Sequence, residues 1–270
     1  MRIKVTFKNP KRKTVLPINT NYYLVKLIKH LTYEYRRYLT SLLPGERANK
    51  DFDVYTFSQL IIPERKIEDF MIGILSPEFH WYISSPYYQF LGILAKEFRT
   101  QKKVKIYNTF FEVEAVRFVP VPEFSDSEVQ FTCLSPMTVL KKEGNNGQTR
   151  KKYILPDQDD FYQALEKDLK YKYNVINKKQ LDKIDFDLEF DQEYVRRKNN
   201  RITKVITLES ESRAQEQVRC VLAPFKIKAS PEVLQMIYDA GIGQMNSMGF
   251  GMVEIVKKNG HKKSNLRASH

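Results

Sequence analysis

Four amphipathic helical stretches, each set between extended segments, constrain this chain more than any other feature of its sequence. The first covers about 21–43, where Leu24, Leu27, Ile28, Leu31, Tyr35, Tyr38, Leu39 and Leu42 recur at spacings of three and four. Asn19, Thr20 or Asn21 can cap its start, and Pro44-Gly45 stops it. The second opens at Pro86 and aligns Tyr88, Leu91, Leu94 and Phe98. The third, capped by Asp157 or Asp159, aligns Phe161, Leu165, Leu169 and Tyr173. The fourth runs from Pro231 to Gly241. Around them, Ile3, Val5 and Phe7 alternate with Arg2, Lys4 and Thr6, as in a half-buried strand. Further extended runs cover 54–62, 70–75, 79–84 and 105–120 in the first half. In the second half they cover 129–134, 184–190, 202–208, 218–227 and 250–256. Strand, helix, strands, helix, strand is thus read twice, which predicts an α+β protein of two tandem ferredoxin-like βαββαβ domains. The expected domains are 1–122 and 129–256, joined by a Pro- and acid-containing linker at 123–128 and followed by a basic tail at 257–270.

Lys and Arg outnumber Asp and Glu by 45 to 32, a net charge of +13. With 16 Tyr, 17 Phe and 1 Trp in the chain, that balance suits a folded protein with an anionic partner. Two cysteines, Cys133 and Cys220, cannot make a disulfide framework. His30, His80, His261 and His270 are scattered, and neither C-x-x-C nor H-E-x-x-H occurs, so no metal site and no cofactor is expected. The alternating strand at the start argues against a signal peptide. No apolar run approaches the ~18–20 residues that span a bilayer, so no membrane contact and a cytoplasmic location are expected.

The most specific motif is Gly241-Ile-Gly243-Gln-Met-Asn-Ser-Met-Gly249-Phe-Gly251, lying between a helix and the last strand. It has no Gly-Lys-Ser/Thr, and a dinucleotide loop would follow a strand and open a helix instead. Paired glycines allow left-handed backbone and close approach of N–H groups to an anion. They serve equally as a helix cap with a β-bulge. Both readings are open on residue chemistry alone.

The motif resembles the C-terminal glycine-rich signature of the CRISPR-associated endoribonucleases that cut precursor repeat RNA. Asn21-Tyr-Tyr-Leu24 with Leu27-Ile28, Tyr55-Thr-Phe-Ser58 and Leu134-Ser-Pro136 are similar to segments of that family, as are Phe161-Tyr162, Asp168-Leu169 and Lys172-Tyr173. The resemblance covers 1–256 and implies tandem ferredoxin-like domains. It also implies metal-independent attack of a 2′-hydroxyl on the adjacent phosphate, leaving 2′,3′-cyclic phosphate and 5′-hydroxyl ends. CRISPR repeat RNA is the implied partner; a second copy of the chain and a CRISPR effector complex stay open. A noncatalytic repeat-RNA-binding subunit with the same fold is the competing reading.

In that family a Tyr on the first helix, a His just after it and a Lys downstream form the catalytic group. Here Lys29 stands at the Tyr position, Arg47 near the His position and Lys50 near the Lys position. His30, one residue on, falls on the polar face of the first helix with Lys26, Tyr33 and Arg37. A histidine on such a basic, polar face is a candidate acid–base group. The candidate catalytic residues are therefore His30, Lys29, Arg47 and Lys50. Candidate RNA contacts are Lys26, Tyr33 and Arg37, with the basic runs Arg150-Lys151-Lys152 and Arg196-Arg197-Lys198. The latter run is expected to top a hairpin turning at Asn199-Asn200, as Asn145-Asn-Gly147 turns another. Lys11–Lys13 and Lys102-Lys103 are further basic runs. In the glycine loop Gly241, Gly243, Asn246, Ser247, Gly249 and Gly251 are expected to meet phosphates, and Gly249→Val to weaken RNA binding without unfolding the protein. His80 reads as a packing residue on a strand.

Overall fold

The computed structural model describes residues 1–10, 14–43, 53–145, 148–209 and 215–256. The first half contains β1 (Arg2–Lys8), β2 (Thr14–Pro17), α1 (Asn21–Leu31), α2 (Arg36–Ser41), β3 (Thr56–Phe57), β4 (Arg65–Glu68), β5 (Met71–Ile74), β6 (Glu78–Ser84), α3 (Tyr88–Gln101), β7 (Lys103–Ile106) and β8 (Thr109–Val119). Its main sheet is antiparallel in the order β3-β6-β1-β8-β7. Leaving out β7, that is the ferredoxin-like order, with α1 and α3 as the two crossovers. Alternation explains the layering: Ile3, Val5 and Phe7 are fully buried, and Val5 faces Trp81 on one side and Val116 on the other. α1 buries Leu24, Leu27, Ile28 and Leu31 in the same core, and α3 buries Phe90, Leu91, Leu94 and Phe98.

The second half contains β9 (Glu128–Cys133), β10 (Val139–Asn145), β11 (Gln148–Ile154), α4 (Phe161–Asn177), β12 (Phe186–Phe190), α5 (Gln192–Arg197), β13 (Thr203–Glu209), β14 (Gln215–Val221), β15 (Phe225–Ala229), α6 (Pro231–Ala240) and β16 (Val253–Ile255). Its sheet runs β12-β15-β9-β16, the same order again. Phe131, Leu165, Phe225, Leu234 and Ile237 fill a separate core. Two tandem ferredoxin-like domains are therefore present. Two hairpins, β10-β11 and β13-β14, and a small sheet β2-β5-β4 are additions to that plan.

Local structure departs from the periodicity in places with identifiable causes. The first helix does not run unbroken over 21–43. The Thr32 hydroxyl donates back to the Ile28 carbonyl at 2.9 Å, and a 3-10 turn at Tyr33–Tyr35 separates α1 from α2. The run at 54–62 forms a continuous strand over only two residues: past Ser58 the Gln59 N–H leaves the sheet and donates to Leu134 in the other half, and Ile61 rejoins β6 by a single bridge to His80. The run at 105–120 belongs to the hairpin β7-β8, turned at Tyr107 with φ +55°. The run at 218–227 is two strands, broken at Pro224, whose carbonyl accepts from Asp191 N–H at 2.9 Å. Tyr88 is 62% exposed and Phe90 takes the inward place on α3. Asp160, not Asp157 or Asp159, stands at the start of α4; its carboxylate makes no cap bond and pairs with Lys141. Arg196 and Arg197 end α5 rather than a hairpin, with Asn199 and Asn200 in left-handed backbone beyond it. The Asp191 cap and the two arginines in the last turn suit both ends of that short helix.

The halves are held together from the first strand. Arg2 is 1% exposed; its guanidinium donates to Glu254 and to the Val253 carbonyl, both at 2.7 Å, and lies 4.0 Å from the Tyr238 ring centre. This ties β1 to α6 and β16. Among the described residues no helix is long and apolar enough to cross a membrane.

Candidate functional site

The glycine motif connects α6 to β16 through a 3-10 turn at Asn246–Met248. All four glycines have positive φ, from +68° to +85°. Each also lacks room for a side chain. A Cβ on Gly251 would stand 1.9 Å from the Ile242 carbonyl oxygen, and one on Gly249 would stand 2.3 Å from the Phe57 ring. The loop's carbonyls are occupied from three directions. The Asn21 amide donates to Met248 and Gly249 at 2.8 and 3.3 Å, and the Thr56 hydroxyl donates to Phe250 at 2.9 Å. From α4, the Lys172 ammonium donates to Gly241 at 3.1 Å and also to Gly243. Lys172 is itself paired at 2.8 Å with Asp168, whose carboxyl is raised by burial against the pull of that lysine. The Asn246 amide is turned inward, onto Phe250 at 3.0 Å and Ile242 at 3.4 Å.

The loop is thus a clasp between the two halves, and its glycines and Asn246 have packing duties of their own. The expectation that Gly249→Val spares the fold is overturned by the Phe57 contact. Ser247 is half-buried and lines a hollow of about 210 Å³ with Lys172, Tyr171 and Gln244. Removing the Asn21 tether should be costly but survivable. Asn21→Leu leaves two carbonyls unpaired and is expected to lower stability by about 1–3 kcal/mol in chemical denaturation, with little loss from Ser247→Ala as its control.

α1 begins at this clasp and carries the candidate catalytic face. Lys26, Lys29, His30 and Tyr33 are all exposed, as the helical spacing requires, and so is Arg37 on α2. The structure then separates them. His30 and Lys26 line a hollow of about 440 Å³ between α1 and the β7-β8 hairpin. Lys29 and Tyr33 line a different hollow of about 200 Å³, beside Arg36 and Tyr55. Arg37 lines neither. Arg47, Lys50 and Lys11–Lys13 lie outside the described residues.

Residues that periodicity did not single out complete the His30 hollow: Lys105, Tyr107 and Phe110, next to Lys103. Val104, Ile106 and Phe111 point into the core, while Lys103, Lys105 and Phe110 point out. Reading 105–120 as one strand hid the hairpin that folds Phe110 back beside Lys105. Tyr23 borders the hollow too, its ring 5.1 Å from that of Tyr107. Its hydroxyl donates to Glu209 at 3.1 Å; burial first, then that bond, pushes the phenol up to about 12.

The remaining basic runs sit elsewhere and are partly neutralised. In the β10-β11 hairpin Lys141 is in register with Lys152, Lys142 with Lys151, and Glu143 with Arg150. Lys151 is paired with Glu216 at 2.9 Å and Lys152 with Glu143 at 3.3 Å. Arg196, Arg197 and Lys198 close α5 and line none of the three hollows. His80 accepts or donates at 3.2 Å with Thr6, and burial, then Lys4, lowers its pKa, in keeping with a packed sheet position.

With this geometry in place, residues 119–255 match the family model described as CRISPR associated protein Cas6, C-terminal. The chain belongs to the Cas6 family. It is 28% identical over 255 residues to the "CRISPR-associated endoribonuclease Cas6 1" of Methanocaldococcus jannaschii, covering 94% of this chain and 92% of that one. It is 27% identical over 260 residues to the "Putative CRISPR-associated endoribonuclease-like protein Cas6nc" of Pyrococcus horikoshii, covering 95% and 100%. A solved structure described as "An RAMP protein binding different RNA substrates" superposes with a TM-score of 0.79 at 26% identity, covering 95% of this chain and 100% of that one. On α1 of this Cas6 family member, Lys29 opens on one hollow and His30, one residue later, on another.

Proposed function

We propose that this chain cuts CRISPR precursor repeat RNA without a metal ion, at the hollow between α1 and the β7-β8 hairpin. The 2′-hydroxyl of the nucleotide before the cut attacks the adjacent phosphorus. A new O2′–P bond forms, the P–O5′ bond breaks, and the products carry a 2′,3′-cyclic phosphate and a 5′-hydroxyl. His30 takes the proton of the attacking hydroxyl, and the leaving 5′-oxygen is protonated from water. Lys26 and Lys103 offset the charge that develops on the phosphate oxygens. Arg47 and Lys50 are proposed to add to that stabilisation. The observation that supports this reading is the grouping of His30 with Lys26, Lys103 and Lys105 around one hollow large enough for a nucleotide. The proposed functional units are 1–122 and 129–256.

The second reading is a noncatalytic subunit that holds repeat RNA, favoured by Lys29 at the family's Tyr position and by the segment after the helix, which has no histidine. Excess protein mixed with end-labelled repeat RNA separates the two. Product of one defined length supports the endoribonuclease; tight binding with intact RNA supports the holding subunit. The basic hollow also predicts a salt signature. Each contacted phosphate of a single strand contributes a slope of about −0.7 in log affinity against log salt. Lys103→Ala combined with Lys105→Ala should therefore flatten the slope by roughly 1.4. An unchanged slope places the RNA elsewhere.

A further inference from the structure

Phe110 is 62% exposed on β8, while its neighbour Phe111 is fully buried. The ring has no place in the core, and Lys105 lies across the ladder from it with its ammonium 5.8 Å from the ring centre. Both line the His30 hollow, which no carboxylate lines among the described residues. Its floor adds the Tyr107 ring, held by left-handed backbone at the hairpin turn and by edge-on contact with Tyr23. Asn108 at the same turn brings a donor and an acceptor to the rim. An open aromatic face, a cation against it and an acid-free wall are the parts of a site for one unpaired nucleotide: the ring stacks the base and the lysines meet the phosphate. A volume of about 440 Å³ falls within the usual range for a pocket that encloses a small ligand.

We propose that the β7-β8 hairpin is a stacking subsite for an unpaired nucleotide flanking the scissile phosphate, with Phe110 as the platform and Lys105 as its phosphate partner. Phe110 is in this account a positioning residue: it fixes the flanking base so that the scissile phosphate comes to His30. The inference rests on the reading of the α1 hollow as the RNA site.

The test uses repeat RNAs that each carry one 2-aminopurine, placed in turn at the positions around the cut. Wild-type protein should quench the fluorescence of one such base. Phe110→Ala should abolish that quench and weaken binding by about tenfold, and Phe110→Trp should restore both. Phe118→Ala, at another exposed ring of β8, should leave the quench unchanged. The readout is binding, so it does not depend on cleavage. Quenching lost in Phe110→Ala, in a protein that makes no product, keeps the subsite and removes the nuclease reading. Full quenching by Phe110→Ala, in a protein that still cuts, overturns the subsite alone. Failure of the wild-type protein to bind any of these RNAs overturns both.

Discussion

Replacing His30 by alanine is expected to slow single-turnover cleavage of repeat RNA by about 10²–10⁴-fold, the usual contribution of a positioned acid–base group. RNA affinity should change little, because the proposed phosphate contacts are Lys26, Lys103 and Lys105, which line the same hollow. The argument is geometric. His30 is exposed on α1, and the helix turns it towards the hairpin rather than towards Lys29. Its imidazole therefore shares a wall with three lysines that can hold a phosphate near it. Lys29→Ala is the matched comparison, since that side chain borders the other hollow. A larger loss from Lys29→Ala than from His30→Ala would move the chemistry to the second hollow. An unchanged rate in His30→Ala would leave proton transfer to the lysine and arginine candidates Lys26, Lys29, Arg47 and Lys50.

The second large effect belongs to the clasp. Gly251→Ala is expected to destabilise the protein by on the order of 4 kcal/mol, a drop of roughly 8–16 °C in Tm. Two causes add. The residue has φ +72°, which costs a non-glycine residue about 1–2 kcal/mol, and the new methyl would stand 1.9 Å from the Ile242 carbonyl oxygen. That carbonyl cannot retreat freely, because the Ile242 N–H donates to the Gly251 carbonyl at 2.9 Å. Gly249→Val should act similarly through the Phe57 ring. Thermal melts with and without RNA check this. If Gly251→Ala keeps its Tm and loses only RNA binding, the glycines act on phosphates and the clasp is secondary.

Much of this fold was legible because each half alternates strongly between the two periodicities. The fully buried Ile3, Val5 and Phe7 stand out as a period of two, and Leu24, Leu27, Ile28 and Leu31 as a helical stripe. Short edge strands such as β2 and β4 bury too few residues to leave such a pattern. The break after Leu31 coincides with one threonine hydroxyl turned back onto the helix, and a β-branched polar residue on a long helical stripe carries no other mark.

The candidate site was legible only in part. His30 and Lys26 share a helix face, so spacing alone brings them together. Lys105 and Phe110 reach them across most of the first domain, and only the turn at Tyr107 reveals that they point the same way. The glycine motif was visible as a motif, but its reason was not. Its partners Asn21, Thr56 and Lys172 come from three distant segments, and nothing in the motif announces them.

Cleavage of labelled cognate repeat RNA in EDTA tests the central claim most directly, run beside the same RNA with a 2′-deoxy nucleotide before the cut. The account predicts cleavage of the first, with a 2′,3′-cyclic phosphate end, and none of the second. Cleavage of the deoxy substrate, or loss of all cleavage in EDTA with recovery on adding a divalent cation, would contradict it.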